Sequence, residues 1–171
     1  MKHIFLGILL AFVLIGCGYK PTSYYAKSAL GTRIYADVII SRQDPQNSVL
    51  IKDSINEAIV SRFGSRLVSK EEADVILKVK LTSVAFSPVV YDKYGYVIAY
   101  KTIVALEITS TKQGQNEVFQ TSGEYDFSIE FNSVISDSKR FEAIRNAADD
   151  ALDEFVSKVS IQGLYREKKA Q

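Results

Sequence analysis

Residues 117–131 read EVFQTSGEYDFSIEF. Phe119, Tyr125, Phe127, Ile129 and Phe131 fall on one side of this stretch. Gln120, Ser122, Glu124, Asp126, Ser128 and Glu130 fall on the other. Successive side chains of a β-strand point to opposite faces, so a period of two marks a strand with one dry face and one wet face. A slip of one residue would turn the whole aromatic set to water, so the pattern also fixes the register.

Two more strands precede it. Residues 96–109 alternate as well, with Ile98, Tyr100, Val104, Leu106 and Ile108 on one face, and Lys112-Gln113-Gly114-Gln115 supplies the turn into 117–131. Residues 74–86 place Val75, Leu77, Val79 and Leu81 on one side and Lys78, Lys80 and Thr82 on the other. Pro88 and Asp92-Lys93-Tyr94-Gly95 lie between these two strands, which predicts a wide hairpin with a long tip. Earlier still, residues 33–40 form a strand with Ile34, Ala36, Val38 and Ile40 on one face, ended by the turn at Asp44-Pro45. Asn47 or Ser48 can then cap a helix. Ile51, Ile55, Ala58, Ile59 and Phe63 recur along it at helical spacing, and Gly64 stops it.

The last element is a helix over residues 137–159, capped by Ser136 or Asp137. Its apolar stripe is Phe141, Ile144, Ala148, Leu152, Phe155 and Val159. The order is β-α-β-β-β-α, an α+β chain. A strand-helix-strand start implies a right-handed crossover if both strands share a sheet. The simplest packing is a two-layer sandwich, two helices on one face of a mixed four-stranded sheet. Residues 33–160 form this single domain, residues 161–171 a frayed tail, and the other sheet face is left to water or a partner.

The N-terminus reads as a lipoprotein signal. Lys2 and His3 precede an apolar run from Ile4 to Ile15, 12 residues long, whereas a spanning helix needs about 20. Leu14-Ile15-Gly16-Cys17 then offers an aliphatic residue, a small residue and a thiol where the run stops. Removing residues 1–16 from 171 leaves 155 with Cys17 first. Each acyl methylene placed on that thiol or amine contributes about 0.8 kcal/mol of membrane affinity, so two or three chains hold the domain firmly. Residues 17–32 contain Gly, Pro and Ser without a clear period and read as a tether of up to about 50 Å. Tyr19, Tyr24 and Tyr25 in it could meet lipid headgroups, a partner or the domain's own edge.

Composition removes several chemistries. After cleavage Lys+Arg and Asp+Glu are equal at 20 each, which argues against general nucleic-acid binding. The only His is His3 and the only Cys is Cys17. The mature chain therefore has no imidazole base, thiolate nucleophile, disulfide or Cys/His metal site, and no cofactor is called for. Ser136-Asp137-Ser138-Lys139 matches S-x-x-K, but the companion motifs of the penicillin-recognising enzymes are absent and helix capping accounts for Ser136. Glu71-Glu72 and Asp149-Asp150 sit in polar stretches and read as solvated acids. The chain reads as a non-enzyme.

The lipobox, Cys17-Gly18-Tyr19-Lys20-Pro21, followed by strand, helix, three long strands and a closing helix, resembles the lipopolysaccharide-assembly lipoprotein family, LptE. The resemblance implies a non-catalytic outer-membrane lipoprotein on the periplasmic side. It would be the 1:1 plug and folding partner of a large LptD-type β-barrel that inserts lipopolysaccharide into the outer leaflet, and would itself bind lipopolysaccharide. Gly18, rather than Asp, fits outer-membrane sorting of the enteric type. The resemblance points to basic residues near strand tips as ligand contacts, which here are Lys93 and, in the connection to the last helix, Lys139 and Arg140. Two alternatives stay open: a lipid-anchored envelope protein unrelated to lipopolysaccharide, and a hydrolase built on Ser or carboxylates.

Overall fold

The computed structural model describes residues 22–39, 45–130 and 133–169. In chain order the elements are α1 (Thr22–Leu30), β1 (Arg33–Ile39), α2 (Pro45–Ser61), β2 (Arg66–Leu67), β3 (Val75–Tyr91), β4 (Val97–Lys112), β5 (Gln115–Ser128) and α3 (Asp137–Lys169). One sheet has the order β2-β1-β3-β4-β5. β1 is parallel to both β2 and β3, and the remaining pairs are antiparallel. The α+β class and the mixed sheet are as the sequence predicts.

The apolar stripes converge as their spacing demands. Ile51, Ile55, Ala58, Ile59 and Phe63 of the α2 segment are buried against Ile34, Val75, Leu77, Val79, Leu106 and Ile108. Gly64 ends this helix at φ +60, with Phe63 N–H donating to Ala58 O and Ser65 N–H to Ile59 O, a left-handed helix stop. Ile144, Ala148, Leu152, Phe155 and Val159 of α3 join the same core. Phe155 lies edge-on to Phe63 at 5.7 Å and to Phe119 at 5.1 Å, so it links both helices to β5. At the start of β3, Asp74 accepts from Arg33 Nη2 at 2.7 Å, and this partner holds its carboxyl below the usual range.

Three expectations need correcting. The sheet has five strands, not four, because Arg66–Leu67 adds a two-residue parallel strand beside β1 that is too short to show any period. Residues 22–30 of the expected tether are helical. Ala26, Ala29 and Leu30 of α1 are buried against the domain, a stripe too short to stand out in sequence. Residues 161–169 of the expected frayed tail continue α3. The reason is the same packing: α1 rests on the last turns of α3, so close that a Cβ at Gly163 would lie 2.4 Å from Tyr25 O.

The sheet carries a second close approach. A Cβ at Gly123 of β5 would lie 2.1 Å from Ala147 O and 2.2 Å from Ala151 N of α3. Ala143, Ala147 and Ala151, all fully buried, line the helix at this approach. The helix backbone thereby reaches the outer edge of β5. Asp150 accepts from Glu124 N–H, Glu154 from Ser122 N–H, and Lys158 donates to Gln120 O. Three side chains at successive turns of one helix satisfy three backbone groups of one strand edge. Arg62 of the α2 segment pairs with Asp153 and donates to Asp149 O, tying the two helices together.

Gly123→Ala should lower stability by about 3 kcal/mol, the upper range for overpacking, because the obstacle is helix backbone rather than a movable side chain. Ser122→Ala, at an exposed position, should change stability by less than about 0.5 kcal/mol. Urea denaturation of the pair checks both. The Ser122 N–H, then Lys158, hold the Glu154 carboxyl below its ordinary value. A depressed folded value means the contact stabilises above the unfolded carboxyl range, near ~4.3, and is lost as pH falls through the lower folded value. Glu154→Gln should therefore lower the melting temperature at pH 7, and the difference from wild type should vanish at the acid end of that window.

Candidate functional site

Among the described residues β1 pairs with β3 over Val75–Lys80. Beyond that point β3, β4 and β5 continue as a three-stranded arm as far as Ser128, and only the end of the β3–β4 hairpin runs on past it. The expected wide hairpin is instead a long, narrow one, because β3 runs on through Pro88 to Tyr91. Proline is tolerated where a strand's outer side has no ladder partner, and irregular register at Leu81/Ser83 and Pro88/Val90 absorbs the misfit.

The arm is stiff. Phe127 stacks on Tyr100 with centroids 6.0 Å apart and meets Phe86 edge-on at 6.3 Å. The Arg140 guanidinium of α3 lies 5.2 Å from the Phe86 ring. At the tip, Asp92 Oδ1 accepts from Tyr94 N–H at 2.9 Å and from Tyr96 N–H at 2.8 Å. Gly95 turns the chain at φ +86. This fixed loop presents Lys93, whose Nζ sits 4.9 Å from the Tyr94 ring centroid. Val89, Val90, Tyr91, Tyr94 and Tyr96 around it are all exposed, Tyr94 by 68%.

The sheet face away from the helices is only partly as expected. Lys78, Lys80 and Thr82 are exposed, and so are Gln120, Ser122, Glu124, Asp126 and Ser128 of β5. Lys101 of β4 pairs with Glu124 across the strands, and that hydrogen bond raises the Lys101 ammonium. The outer row of β4 also carries the half-buried Val97, Ala99, Ile103 and Ala105, so the centre of this face is apolar and its margins are polar.

Of the sequence-derived ligand candidates, the structure puts Lys93, Lys139 and Arg140 in the same half of the molecule without joining them in one site. Lys93 is at the tip. Arg140 is at the stem, seven residues below along β3, about 23 Å at ~3.3 Å per residue. Lys139 pairs with Glu142 at 3.2 Å and borders a cleft of about 340 Å³ with Ser128, Glu130, Ser133, Ser136 and Ser138. Ser136 is a helix cap: its Oγ accepts from Lys139 N–H and its carbonyl from Arg140 N–H. Cys17, the lipidation candidate, lies outside the described residues. Among the described residues no cluster of His, Cys, Asp and Glu could hold a metal, and no helix is long and apolar enough to cross a membrane. The aromatic stem was missed in sequence because Phe86, Tyr100 and Phe127 come from three strands, and only the observed register brings them together.

A mixed sheet with helices on one face and a projecting arm defines the class, a two-layer α+β domain. A putative lipoprotein from Caulobacter crescentus has this fold, with 9% identity, a TM-score of 0.52, and 84% of this chain and 96% of that one covered. Protein XCC0632 from Xanthomonas campestris matches with 12% identity, a TM-score of 0.50, and 80% and 87% covered. The rare lipoprotein B from Shewanella oneidensis is 16% identical, with a TM-score of 0.47 and 74% and 96% covered. None of the curated proteins matches the sequence. The chain belongs to the LptE family, "Lipopolysaccharide-assembly", whose model matches residues 35–159.

Asp92→Ala should remove the acceptor shared by two tip amides. Hydrogen exchange at Tyr94 and Tyr96 should accelerate, while global stability falls by only about 1 kcal/mol.

Proposed function

We propose that this protein is a lipoprotein acylated at Cys17 and held on the periplasmic side of the outer membrane. There it plugs, and helps to assemble, the β-barrel translocon that inserts lipopolysaccharide into the outer leaflet. The partner is one large LptD-type barrel in a 1:1 complex, and the role is non-catalytic. Membership of the lipopolysaccharide-assembly family over residues 35–159 carries this reading.

The physics of the surface supports it. Barrel lumens are lined by polar side chains. A plug therefore needs exposed hydrogen-bonding groups along an elongated body, and the Gln120–Ser128 rail with Lys78 and Lys80 supplies them. Lipopolysaccharide brings phosphates and acyl chains together. The arm's tip offers a cation, Lys93, among exposed Tyr and Val side chains, suited to both parts of such a ligand. Lys139 and Arg140 are secondary contacts at the stem of the arm.

Affinity capture from detergent-solubilised envelopes should recover one very large barrel in equal amount, and depletion should strand lipopolysaccharide in the inner membrane. Capture without a barrel, or normal surface lipopolysaccharide after depletion, rejects the reading. Lys93→Glu should weaken lipopolysaccharide binding about tenfold, the worth of a charge-assisted contact, with stability unchanged.

A further inference from the structure

At the end opposite the arm the sheet turns polar on its inward side. The inward row of β4 runs Val104, Leu106 and Ile108, then Ser110 and Lys112. On β5, Glu117 pairs with Ser110 and Gln115 with Lys112, just beyond the buried Phe119. α1 and the last turns of α3 lie over this end, and Lys112 Nζ donates to Ala29 O of α1 at 2.7 Å. A covered sheet end whose only task is packing would carry apolar inward residues.

Between the layers lies a cleft of about 250 Å³. Leu30, Phe119 and Val159 give it an apolar side, and Gln113, Gln115 and Gln162 bring three carboxamides to it. The decisive group is Ser110. It is 6% exposed, it lines the cleft, and among the described residues its hydroxyl has no hydrogen-bond partner. A buried hydroxyl without a partner is destabilising, and a ligand that bonds it recovers that loss. The turn between the strands adds a second sign. Gln113 stands at φ +51 ahead of Gly114 at φ +78. Such a turn favours Asn or Gly at its first place, so Gln113 is a strained choice that sets a carboxamide at the cleft.

We propose that this cleft binds one neutral, N-acetylated sugar ring. Its volume lies below the roughly 300–1,000 Å³ of pockets for drug-sized ligands, which suits a single ring. Its polar lining disfavours an acyl chain. One cation, Lys112, and one carboxylate, Glu117, line it together, so neither a phosphate nor a cation gains from net charge. Lys112 is committed to Ala29 O and Glu117 has a partner, so an amino-acid zwitterion meets no free counter-charge. A carboxamide both donates and accepts, as a sugar hydroxyl does, and the three glutamines with Ser110 match that alternation. Leu30, Phe119 and Val159 take the C–H side of the ring and the acetyl methyl. The site depends neither on acylation of Cys17 nor on the barrel partner, and it lies at the other end of the sheet from the arm tip.

The test is an NMR titration of the isotope-labelled full chain in a zwitterionic detergent that carries no sugar. N-acetylglucosamine should move the backbone amides of Ser110, Gln113, Glu117 and Gln162 along one saturating curve and leave those of Tyr94 and Tyr96 still. At the efficiency ordinary for small ligands, one ring gives a Kd on the order of 1 mM. Glucose, which lacks the acetamido group, should bind roughly tenfold more weakly. Ser110→Ala should weaken N-acetylglucosamine roughly tenfold, the loss of one good hydrogen bond, without lowering the melting temperature. Gln162→Ala should weaken it as well, from a different element. The absence of any shift at about 20 mM, well above the expected Kd, overturns the proposal. So does wild-type affinity in both variants. Free glutamine or inorganic phosphate moving the same amides at lower concentration than the sugar overturns the ligand class.

Discussion

The fold depends on how closely one helix can approach one strand. β5 is the last strand of the sheet, and its outer backbone groups need partners that no further strand supplies. α3 supplies them, with Asp150, Glu154 and Lys158 reaching Glu124 N, Ser122 N and Gln120 O. That reach exists only because the strand has no side chain at Gly123 and the helix presents Ala147 and Ala151 opposite it. Phe155 is then lowered between Phe63 and Phe119, and the two helices and the sheet become one core.

From that packed centre the molecule extends in two chemically different directions. One end gathers α1 and the last turns of α3, close in sequence to Cys17. The other is an arm stiffened by Phe86, Tyr100 and Phe127 and ended by a hydrogen-bonded loop. The polar rail of β5 lies between them and runs along most of the length of the sheet.

Where the sequence pattern was long, it was readable. The alternation from Phe119 to Ser128 and the stripes Ile51–Phe63 and Ile144–Val159 gave strands and helices that the structure keeps, because one buried face over many residues allows a single arrangement. Short or shared signals were not readable. β2 has two residues, and α1 buries only Ala26, Ala29 and Leu30, so neither could be told from coil without the surface it packs on. The continuation of α3 to Lys169 was hidden for a related reason: Ser160, Gly163 and the charged residues after it look frayed until α1 lies against them. The candidate ligand residues came from a family resemblance, and the sequence could not tell that Lys93 is mounted on a rigid tip while Arg140 is spread over Phe86.

One further consequence follows from the outer side of β3 beyond Lys80. Among the described residues no strand pairs with this side, and so long an edge is a template on which a second molecule could add a strand. Pro88 removes one donor from the stretch, and the irregularities at Leu81/Ser83 and Pro88/Val90 break the even spacing that a growing fibre would copy. The kinks in the arm therefore make this edge a poor template for self-association.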